Sequence, residues 1–269
     1  MSASAAGLVL AAGRGSRFES EPGRALPKVL CPLLGRPMID YVLGALAGAG
    51  VDDITLIVGH GADKVIRQLG DSVDYVRQNE QLGSGHAVAC AKERFRDFDG
   101  CLVVMCGDSP LFTAETVRRM IDKHIDSNAA VTLTTAMLPD PFGYGRVLRD
   151  ATGGIRAIVE EQCATDDQRL IREVNGGAYA FDSIRLFPLL RQQSILCCLR
   201  DFRQPRCRSN GKMRLNEAGE YNLTDMVRVF IEQGNAVASI ECDPVEITGV
   251  NTVDDLHRAE EVLRNRQCA

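Results

Sequence analysis

Short apolar runs recur along the first half of the chain, and stretches with a helical pattern of apolar residues alternate with them. Fully apolar runs lie at residues 8–10 and 102–105, and further strand patterns, which include threonine, lie at 54–58 and 130–136. The helical patterns lie at residues 38–46, 63–69, 87–95 and 113–126. Continuous apolar runs of this length are typical of strands buried on both faces. Their alternation with helices predicts an α/β fold with a doubly wound, mostly parallel sheet and right-handed crossovers.

The second half of the chain has a different pattern, in which few helical segments lie between the predicted strands. Strand patterns lie at residues 142–148, 155–160, 173–181 and 236–241, and helical patterns at 183–192, 222–233 and 252–265. We interpret the first three strands as a β-rich region inserted into the α/β fold. The basic and irregular stretch at 200–214 belongs to an insertion near 193–214. No internal repeat or low-complexity linker divides the chain, so we expect a single domain over residues 1–269.

The first apolar run opens into a loop that combines glycines with arginines. Gly13 and Gly15 allow close backbone approach, while Arg14 and Arg17 supply guanidinium groups. A strand that ends in such a loop can hold a phosphate chain on its backbone N–H groups. An ordinary strand-to-loop turn explains the glycines alone equally well, because isolated glycine motifs are weak signals.

Three polar loops are predicted at the carboxyl ends of the strands, where open α/β sheets bind ligands. Asp108 follows the apolar run 102–105, where a carboxylate can hold Mg²⁺ against a phosphate. Its alternative role is that of a turn residue before Pro110. Arg17 and Lys28 would stabilise the charge on a transferring phosphoryl or nucleotidyl group, and otherwise they are surface charges.

The third loop is rich in amide side chains. Gln78 and Gln81 lie just before Gly83, Ser84 and Gly85. Carboxamides carry both donors and acceptors, so these two side chains can recognise the edge of a nucleobase. They are equally compatible with solvated loop residues.

Other kinds of active site find no support in the sequence. The four histidines (60, 86, 124 and 257) are scattered, and none has a metal-ligand partner four residues later. The chain lacks an esterase G-x-S-x-G motif and a P-loop motif. Glu160 and Glu161 are weak candidates for a general acid/base pair. Neighbouring residues on a strand point to opposite faces, so at most one of them would face a site.

Composition and charge indicate an ordinary cytoplasmic protein. A net charge of −5 argues against a general nucleic-acid partner, and no apolar stretch is long enough to span a membrane. The N-terminus lacks the basic start of a signal peptide. The ten cysteines are scattered without a C-x-x-C pair, which favours buried or incidental thiols over a zinc site or a disulfide framework.

Ordered motifs along nearly the whole chain resemble those of the sugar-1-phosphate nucleotidyltransferases. They are most similar to the uridylyltransferase half of the bacterial bifunctional N-acetylglucosamine-1-phosphate uridylyltransferase / glucosamine-1-phosphate acetyltransferase enzymes. The segment at 10–17 resembles L-A-A-G-x-G-[TS]-R, that at 26–30 resembles L-P-K-x-L, and that at 81–87 resembles Q-L-G-T-G-H-A. Further matching motifs follow in order at 107–111, 143–146, 159–160, 173–177, 219–225 and 249–251.

The resemblance implies a Rossmann-like fold, Mg²⁺ as cofactor, and a role in supplying a cell-wall precursor. UTP and a sugar 1-phosphate would be the substrates, with residues 6–139 as the nucleotide-binding half and residues 140–269 as the sugar-binding half. It assigns Arg17 and Lys28 to catalysis at the phosphates. The nucleotide would contact Leu10, Ala11, Ala12, Gly13, Gln78, Gln81, Gly83 and Ser84. The sugar would contact Gly145, Glu160 and Asn175, and the metal Asp108 and Asn251.

Several departures from the family pattern bear on this expectation. The segment between Arg17 and Lys28 is long, and Glu161-Gln162-Cys163 replaces a continuation that usually contains Lys-Asp. Asn222 stands where a second aromatic residue is usual. The hexapeptide-repeat half is missing, so we expect no acetyltransferase activity and leave the oligomeric state open. A different sugar 1-phosphate or nucleotide, or a degenerate paralogue that only binds nucleotide sugar, remain the alternatives.

Overall fold

The computed structural model describes residues 4–13, 26–192 and 219–268. The strands are β1 (Ala5–Ala11), β2 (Pro32–Leu33), β3 (Arg36–Pro37), β4 (Asp53–Val58), β5 (Asp74–Arg77), β6 (Cys101–Cys106), β7 (Val131–Met137), β8 (Arg146–Arg149), β9 (Ile155–Val159), β10 (Glu173–Asp182) and β11 (Val237–Glu241). The helices are α1 (Met38–Gly48), α2 (Ala62–Leu69), α3 (Ser84–Cys90), α4 (Ala114–Ser127), α5 (Asp166–Arg169), α6 (Ser183–Gln192), α7 (Asp225–Glu232) and α8 (Val253–Cys268). Short 3₁₀ segments cover Lys28–Leu30, Ala91–Glu93 and Glu161–Cys163.

Most of the strands join one mixed sheet in the order β11-β7-β10-β6-β1-β4-β5. The pairs β6-β1, β1-β4, β4-β5 and β11-β7 are parallel. The small strands β8 and β9 extend from the side of β10, while β2 and β3 form a separate hairpin. The predicted α/β class with a mostly parallel sheet is therefore confirmed.

The two faces of the sheet bury different side chains of the same strands. On β1, Ala6 and Leu8 pack with residues of α3, α6 and α7, whereas Val9 and Ala11 pack with residues of α1, α2 and α4. This alternation arises because successive strand residues point to opposite faces. Helices cover both faces of the sheet, as a doubly wound fold requires.

The main difference from the sequence prediction concerns β10. The pattern at 173–181 was interpreted as part of an inserted β-rich region, but β10 lies inside the central sheet between β6 and β7 and is antiparallel to both. An apolar run reveals that a strand is buried, but not which neighbours it pairs with. The other four pairings in this strand order are parallel, as predicted.

Some predicted element bounds were also wrong. The helix expected at 87–95 begins earlier, at Ser84, and gives way to the 3₁₀ segment Ala91–Glu93. The strand expected at 142–148 begins only at Arg146. Thr113 caps α4, since its side chain accepts a hydrogen bond from the backbone N–H of Thr116. The predicted insertion near 193–214 lies outside the described residues.

A break in strand pairing bends β10 near its middle. The register between β10 and β7 shifts between Asn175 and Tyr179. Gly177 adopts a φ of +83° there, and a Cβ on Gly176 would lie 2.4 Å from the hydroxyl oxygen of Thr134. Irregularities of this kind redirect side chains next to binding sites.

Among the described residues, no helix has both the length and the apolar character needed to cross a membrane.

Candidate active site

A cleft of about 670 Å³ opens at the carboxyl ends of the parallel strands β1 and β6. Small-molecule sites usually enclose roughly 300–1,000 Å³. The residues that line the cleft and were predicted from the sequence are Leu10, Ala11, Ala12, Gly13, Lys28, Gln78, Gln81, Gly83, Ser84 and Asp108. The structure therefore brings Gly13 just after β1, the amide-rich loop at 78–84 and the predicted acid Asp108 to one cavity.

Lys28 connects the two predicted metal-ligating residues. Its ammonium Nζ lies 2.6 Å from Asp108 Oδ2 and 2.9 Å from Asn251 Oδ1. Lys28 follows Pro27, Asp108 follows β6, and Asn251 precedes α8. Three distant segments thus bring a cation, a carboxylate and an amide oxygen together at the edge of the cleft. The Lys28 side chain is only 12% exposed and that of Asp108 is 31% exposed, so water screens the pair incompletely.

A buried carboxylate ties together the two segments that carry Asp108 and Asn251. Glu246 Oε1 accepts hydrogen bonds from the hydroxyls of Thr113 (3.2 Å) and Thr116 (3.0 Å), and Glu246 Oε2 accepts one from the backbone N–H of Thr113 (3.4 Å). Nearby, the backbone N–H of Val250 donates to the carbonyl of Asp108 at 2.9 Å. Glu246 therefore anchors the loop before α8 to the start of α4, which follows the Asp108 loop.

We expect Glu246→Ala to lower the free energy of unfolding by about 1–3 kcal/mol, because buried donors lose their acceptor. The amide proton of Val250 should also exchange faster, since its loop loses an anchor. Denaturant unfolding and hydrogen exchange measure the two effects. Glu115→Ala is the matched control, because Glu115 is exposed in the first turn of the same helix and should change stability by less than ~1 kcal/mol. Equal effects of the two variants would contradict this role.

The amide loop is held by its own hydrogen bonds. Gln78 is only 4% exposed, and its Nε2 lies 3.2 Å from the carbonyl oxygen of Gly83 and 2.9 Å from Nδ1 of His86. Gln81 donates from its Nε2 to the carbonyl of Gln78 at 3.4 Å. The interpretation of Gln78 as a solvated loop residue is therefore wrong, because its side chain is fixed at the wall of the cleft.

Gly83 is required by its conformation and by its neighbour. It has φ +92° and ψ 176°, a combination that is essentially restricted to glycine. A Cβ at this position would lie 2.5 Å from the carbonyl oxygen of Tyr221. That same carbonyl accepts a hydrogen bond from the backbone N–H of Gly85, and Ser84 Oγ accepts one from the backbone N–H of Leu223. The amide loop and the 221–223 segment are thus joined closely through their backbones.

The predicted sugar-binding residues form a second cluster. The backbone N–H of Asn175 donates to the carbonyl of Gly145, and a Cβ on Gly145 would lie 3.4 Å from Glu160 Oε2. Glu160 Oε1 accepts a hydrogen bond from the hydroxyl of Thr224, and Asn175 Nδ2 donates to the hydroxyl of Tyr179. The structure brings these residues together, although the described lining of the cleft does not include them. The segment at 220–224 connects the cluster with the cleft.

Glu161, at one of the departures from the family pattern, supports the loop that carries Gly145. Glu161 Oε2 accepts hydrogen bonds from Arg146 Nη2 (2.7 Å) and from the backbone N–H of Gly143 (3.1 Å). Arg146 is 2% exposed, and its hydrogen bond holds the pKa of the Glu161 carboxyl below its usual value. Arg169 lies 3.5 Å from Glu161 Oε1. Glu160 and Glu161 contact different neighbours, but the prediction that both lie on a strand was wrong, because β9 ends at Val159 and Glu161 begins a 3₁₀ segment.

The residues that line the cleft without having been predicted are Val29, Ala87, Cys106, Glu220 and Asn222. Glu220 and Asn222 lie within the motif at 219–225, which was therefore an available signal. Cys106 lies at the end of an apolar run and was expected to pack there. Burial raises the pKa of its thiol to about 12, so Cys106 remains protonated near neutral pH and is a poor nucleophile.

Some predicted positions cannot be placed. Arg14, Gly15 and Arg17 lie outside the described residues, as do Cys197, Cys198 and Cys207. The cysteines at 31, 90, 101, 106, 163 and 242 are free thiols. Within residues 4–13, 26–192 and 219–268, no group of three or more His, Cys, Asp or Glu side chains is arranged to hold a metal ion.

The N-terminal two thirds of the chain match a known family model. Residues 7–174 match the MobA-like NTP transferase domain. The matched span begins in β1 and ends in β10, so it contains the glycine loop, Lys28, the amide loop and Asp108. Asn251 lies beyond it.

Curated relatives extend the similarity over nearly the whole chain. The chain is 40% identical over 262 residues to the Bifunctional protein GlmU of Pelotomaculum thermopropionicum, which is 97% of this chain and 52% of that protein. It is 41% identical over 260 residues to the Bifunctional protein GlmU of Heliobacterium modesticaldum, with 96% and 52% covered. The chain therefore spans about half the length of the curated relatives it matches.

A solved structure shares the fold. A Bacillus anthracis protein assigned as a glucose-1-phosphate thymidylyltransferase superposes with a TM-score of 0.72 at 20% identity. The match covers 97% of this chain and 96% of that protein. At this level of identity the likeness shows a common architecture.

Proposed function

Since the chain belongs to the family of MobA-like NTP transferase domains, we propose that it is a sugar-1-phosphate nucleotidyltransferase. Its proposed reaction joins UTP and N-acetylglucosamine 1-phosphate into UDP-N-acetylglucosamine and releases pyrophosphate. The observation that carries this proposal is the meeting of Lys28, Asp108 and Asn251 at the edge of the cleft. The ordered motifs and the similarity to GlmU proteins support the choice of substrates.

The donor set at this edge fits Mg²⁺. Asp108 and Asn251 offer oxygen atoms, and both oxygens lie within hydrogen-bond distance of the Lys28 ammonium, which supports their binding one cation together. Mg²⁺ is usually bound by one or two protein oxygens together with substrate phosphates. Asp108 and Asn251 would hold the ion, and the bound ion would neutralise charge on the phosphate oxygens.

The proposed chemistry needs positioning and charge rather than a covalent enzyme intermediate. A phosphate oxygen of the sugar phosphate attacks the α-phosphorus of UTP, a new P–O bond forms, and the bond to the β-phosphate breaks. Pyrophosphate leaves with the bonding electron pair. Lys28 and Arg17 offset the negative charge at the phosphates, and the backbone around Gly13 supports the nucleotide.

We assign the two ends of the substrates to the two residue clusters. The amide loop with Gln78, Gln81 and Gly83 would hold the base and ribose of the nucleotide. Gly145, Glu160 and Asn175 would hold the amino sugar. The segment at 220–224 contacts both clusters, which supports a continuous site for two substrates.

The decisive experiment measures pyrophosphate release by the purified protein. UTP, CTP, GTP and dTTP are each incubated with Mg²⁺ and a panel of sugar 1-phosphates. We expect the highest kcat/KM for UTP with N-acetylglucosamine 1-phosphate, and no release when Mg²⁺ is removed with a chelator. Absence of release with every combination would refute the proposed enzyme activity.

Two alternatives to the proposed substrates and activity predict different outcomes, one in the pyrophosphate-release assay and one in calorimetry beside it. A different preferred sugar or nucleotide would reflect the replaced segment at 161–163, where Glu161 supports the Gly145 loop. A protein that only binds nucleotide sugar would show heat of binding with UDP-N-acetylglucosamine in calorimetry but no pyrophosphate release.

A further inference from the structure

The orientation of the Gln78 carboxamide is determined by a backbone group. One end of this carboxamide lies 3.2 Å from the carbonyl oxygen of Gly83. A carbonyl oxygen only accepts hydrogen bonds, so the end that faces it must be the NH₂ group. The opposite orientation would place two acceptors against each other. Nε2 of Gln78 is therefore the atom at the Gly83 carbonyl.

The same NH₂ group then determines the state of His86. Nε2 of Gln78 also lies 2.9 Å from Nδ1 of His86, so Nδ1 must accept the hydrogen bond. A neutral imidazole that accepts at Nδ1 carries its proton on Nε2, which lies 3.9 Å from the sulfur of Cys90. Burial lowers the pKa of His86, and the carboxylate and backbone of Glu80 oppose this effect more weakly. Burial raises the pKa of the Cys90 thiol, so no thiolate favours a charged His86.

With both contacts made by its NH₂ group, Gln78 keeps an unused acceptor. No described residue donates a hydrogen bond to Gln78 Oε1, and Gln78 lines the cleft. A ligand in the cleft would therefore face the acceptor Oε1 of Gln78, because the contacts of Nε2 oppose a flip of the carboxamide.

We propose that His86 is a positioning residue that, together with the Gly83 carbonyl, holds the Gln78 carboxamide in place and thereby contributes to the base selectivity of the cleft. This inference rests on the proposed function and deepens it. An acceptor suits the N3–H donor of uracil or thymine, whereas N3 of cytosine is itself an acceptor and opposes it. His86 is not among the described residues that line the cleft, so it acts on the nucleotide through Gln78.

The test compares two variants of His86 in the full chain. His86→Asn keeps an acceptor, its amide oxygen, near the position of Nδ1, whereas His86→Leu removes it at similar volume. We expect the ratio of kcat/KM for UTP over CTP to fall about 10-fold in His86→Leu, which corresponds to one lost neutral hydrogen bond, and to stay within about 2-fold in His86→Asn. Calorimetric affinities for UTP and CTP should change in the same way.

A pH profile separates positioning from simple packing. A protonated His86 donates from Nδ1 and can no longer accept from Gln78. In the wild type, the ratio of kcat/KM for UTP over CTP should therefore be constant at pH values above the usual histidine pKa. It should fall as the pH drops through the lowered pKa of His86. Glu80 and Cys90 face the same ring, and both remain in His86→Asn, whose ratio should not change with pH.

The outcomes distinguish this inference from the proposed function. If the wild type uses UTP and CTP equally, or if His86→Leu keeps the wild-type ratio, the role of His86 is overturned while the enzyme activity stands. If the wild type neither binds nor converts any nucleotide, both are refuted. Loss of folding in His86→Leu would appear in its melting curve, and the pH profile of the wild type then decides.

Discussion

Asp108→Ala should lower kcat/KM for pyrophosphate release by roughly 10³-fold, because it removes a preorganised charge at the reacting phosphates. It deletes the carboxylate that lies 2.6 Å from Lys28 Nζ, and it leaves Asn251 as the other oxygen at this ammonium. The affinity for Mg²⁺ in the presence of UTP should fall in parallel. Steady-state kinetics at varied Mg²⁺ concentration measures both changes.

The free energy of unfolding of Asp108→Ala must also be measured, so that a loss of activity can be distinguished from a loss of stability. Because the Asp108 side chain is 31% exposed, loss of its ion pair should cost no more than about 1–2 kcal/mol. Asp63→Ala is the matched control, since Asp63 also pairs with a cation at 2.6 Å, on Arg77, but its side chain is 79% exposed. It should leave kcat/KM within about 2-fold of the wild type. A similar loss of activity in both variants would argue against a specific role for Asp108.

Gly83→Ala should lower the free energy of unfolding by about 2–4 kcal/mol, because it combines backbone strain with a steric clash. Its Cβ would lie 2.5 Å from the carbonyl oxygen and 2.8 Å from the nitrogen of Tyr221. The loop must therefore move away from the 221–223 segment, and Gln78 loses the carbonyl that orients it. We expect the KM for UTP to rise at least about 10-fold, an effect comparable to one lost polar contact.

Another glycine shows what the same substitution does without these constraints. Gly44 lies in α1, where it is exposed and a Cβ would meet no atom within 4 Å. Gly44→Ala should raise stability by about 0.5–1 kcal/mol, since alanine is the better helix former. Denaturant unfolding of both variants, together with UTP kinetics, checks the contrast. Opposite signs for the two changes in stability are the expected result.

The sequence was most informative where a buried strand ends in a polar loop. The apolar runs before Gly13 and Asp108 predicted both strands, and parallel strands place their carboxyl ends at one edge of the sheet. Lys28 was proposed from its charge and again through the family resemblance, Asn251 through the resemblance alone, and the structure places both beside Asp108. Their assignment to catalysis and to the metal stays a prediction.

The sequence pattern did not predict which strands pair over long distances along the chain, nor the backbone conformation of the loops. Nothing in the pattern at 173–181 indicates that β10 lies between β6 and β7, because strand partners depend on the whole sheet. The roles of Glu246 and Tyr221 were missed for a related reason. Both act on segments more than one hundred residues away, through a buried carboxylate in one case and through backbone atoms in the other.

The position of β10 also affects how separable the two halves of the chain are. Residues 6–139 supply both β6 and β7, but among the described strands β10, which comes from residues 140–269, is the one that lies between them and joins them. A fragment that ends near residue 139 would leave two open strand edges that can pair wrongly or aggregate. We therefore expect that residues 140–269, the proposed sugar-binding half, cannot be exchanged between relatives as an independent module, and that changes in substrate preference arise locally within an intact chain.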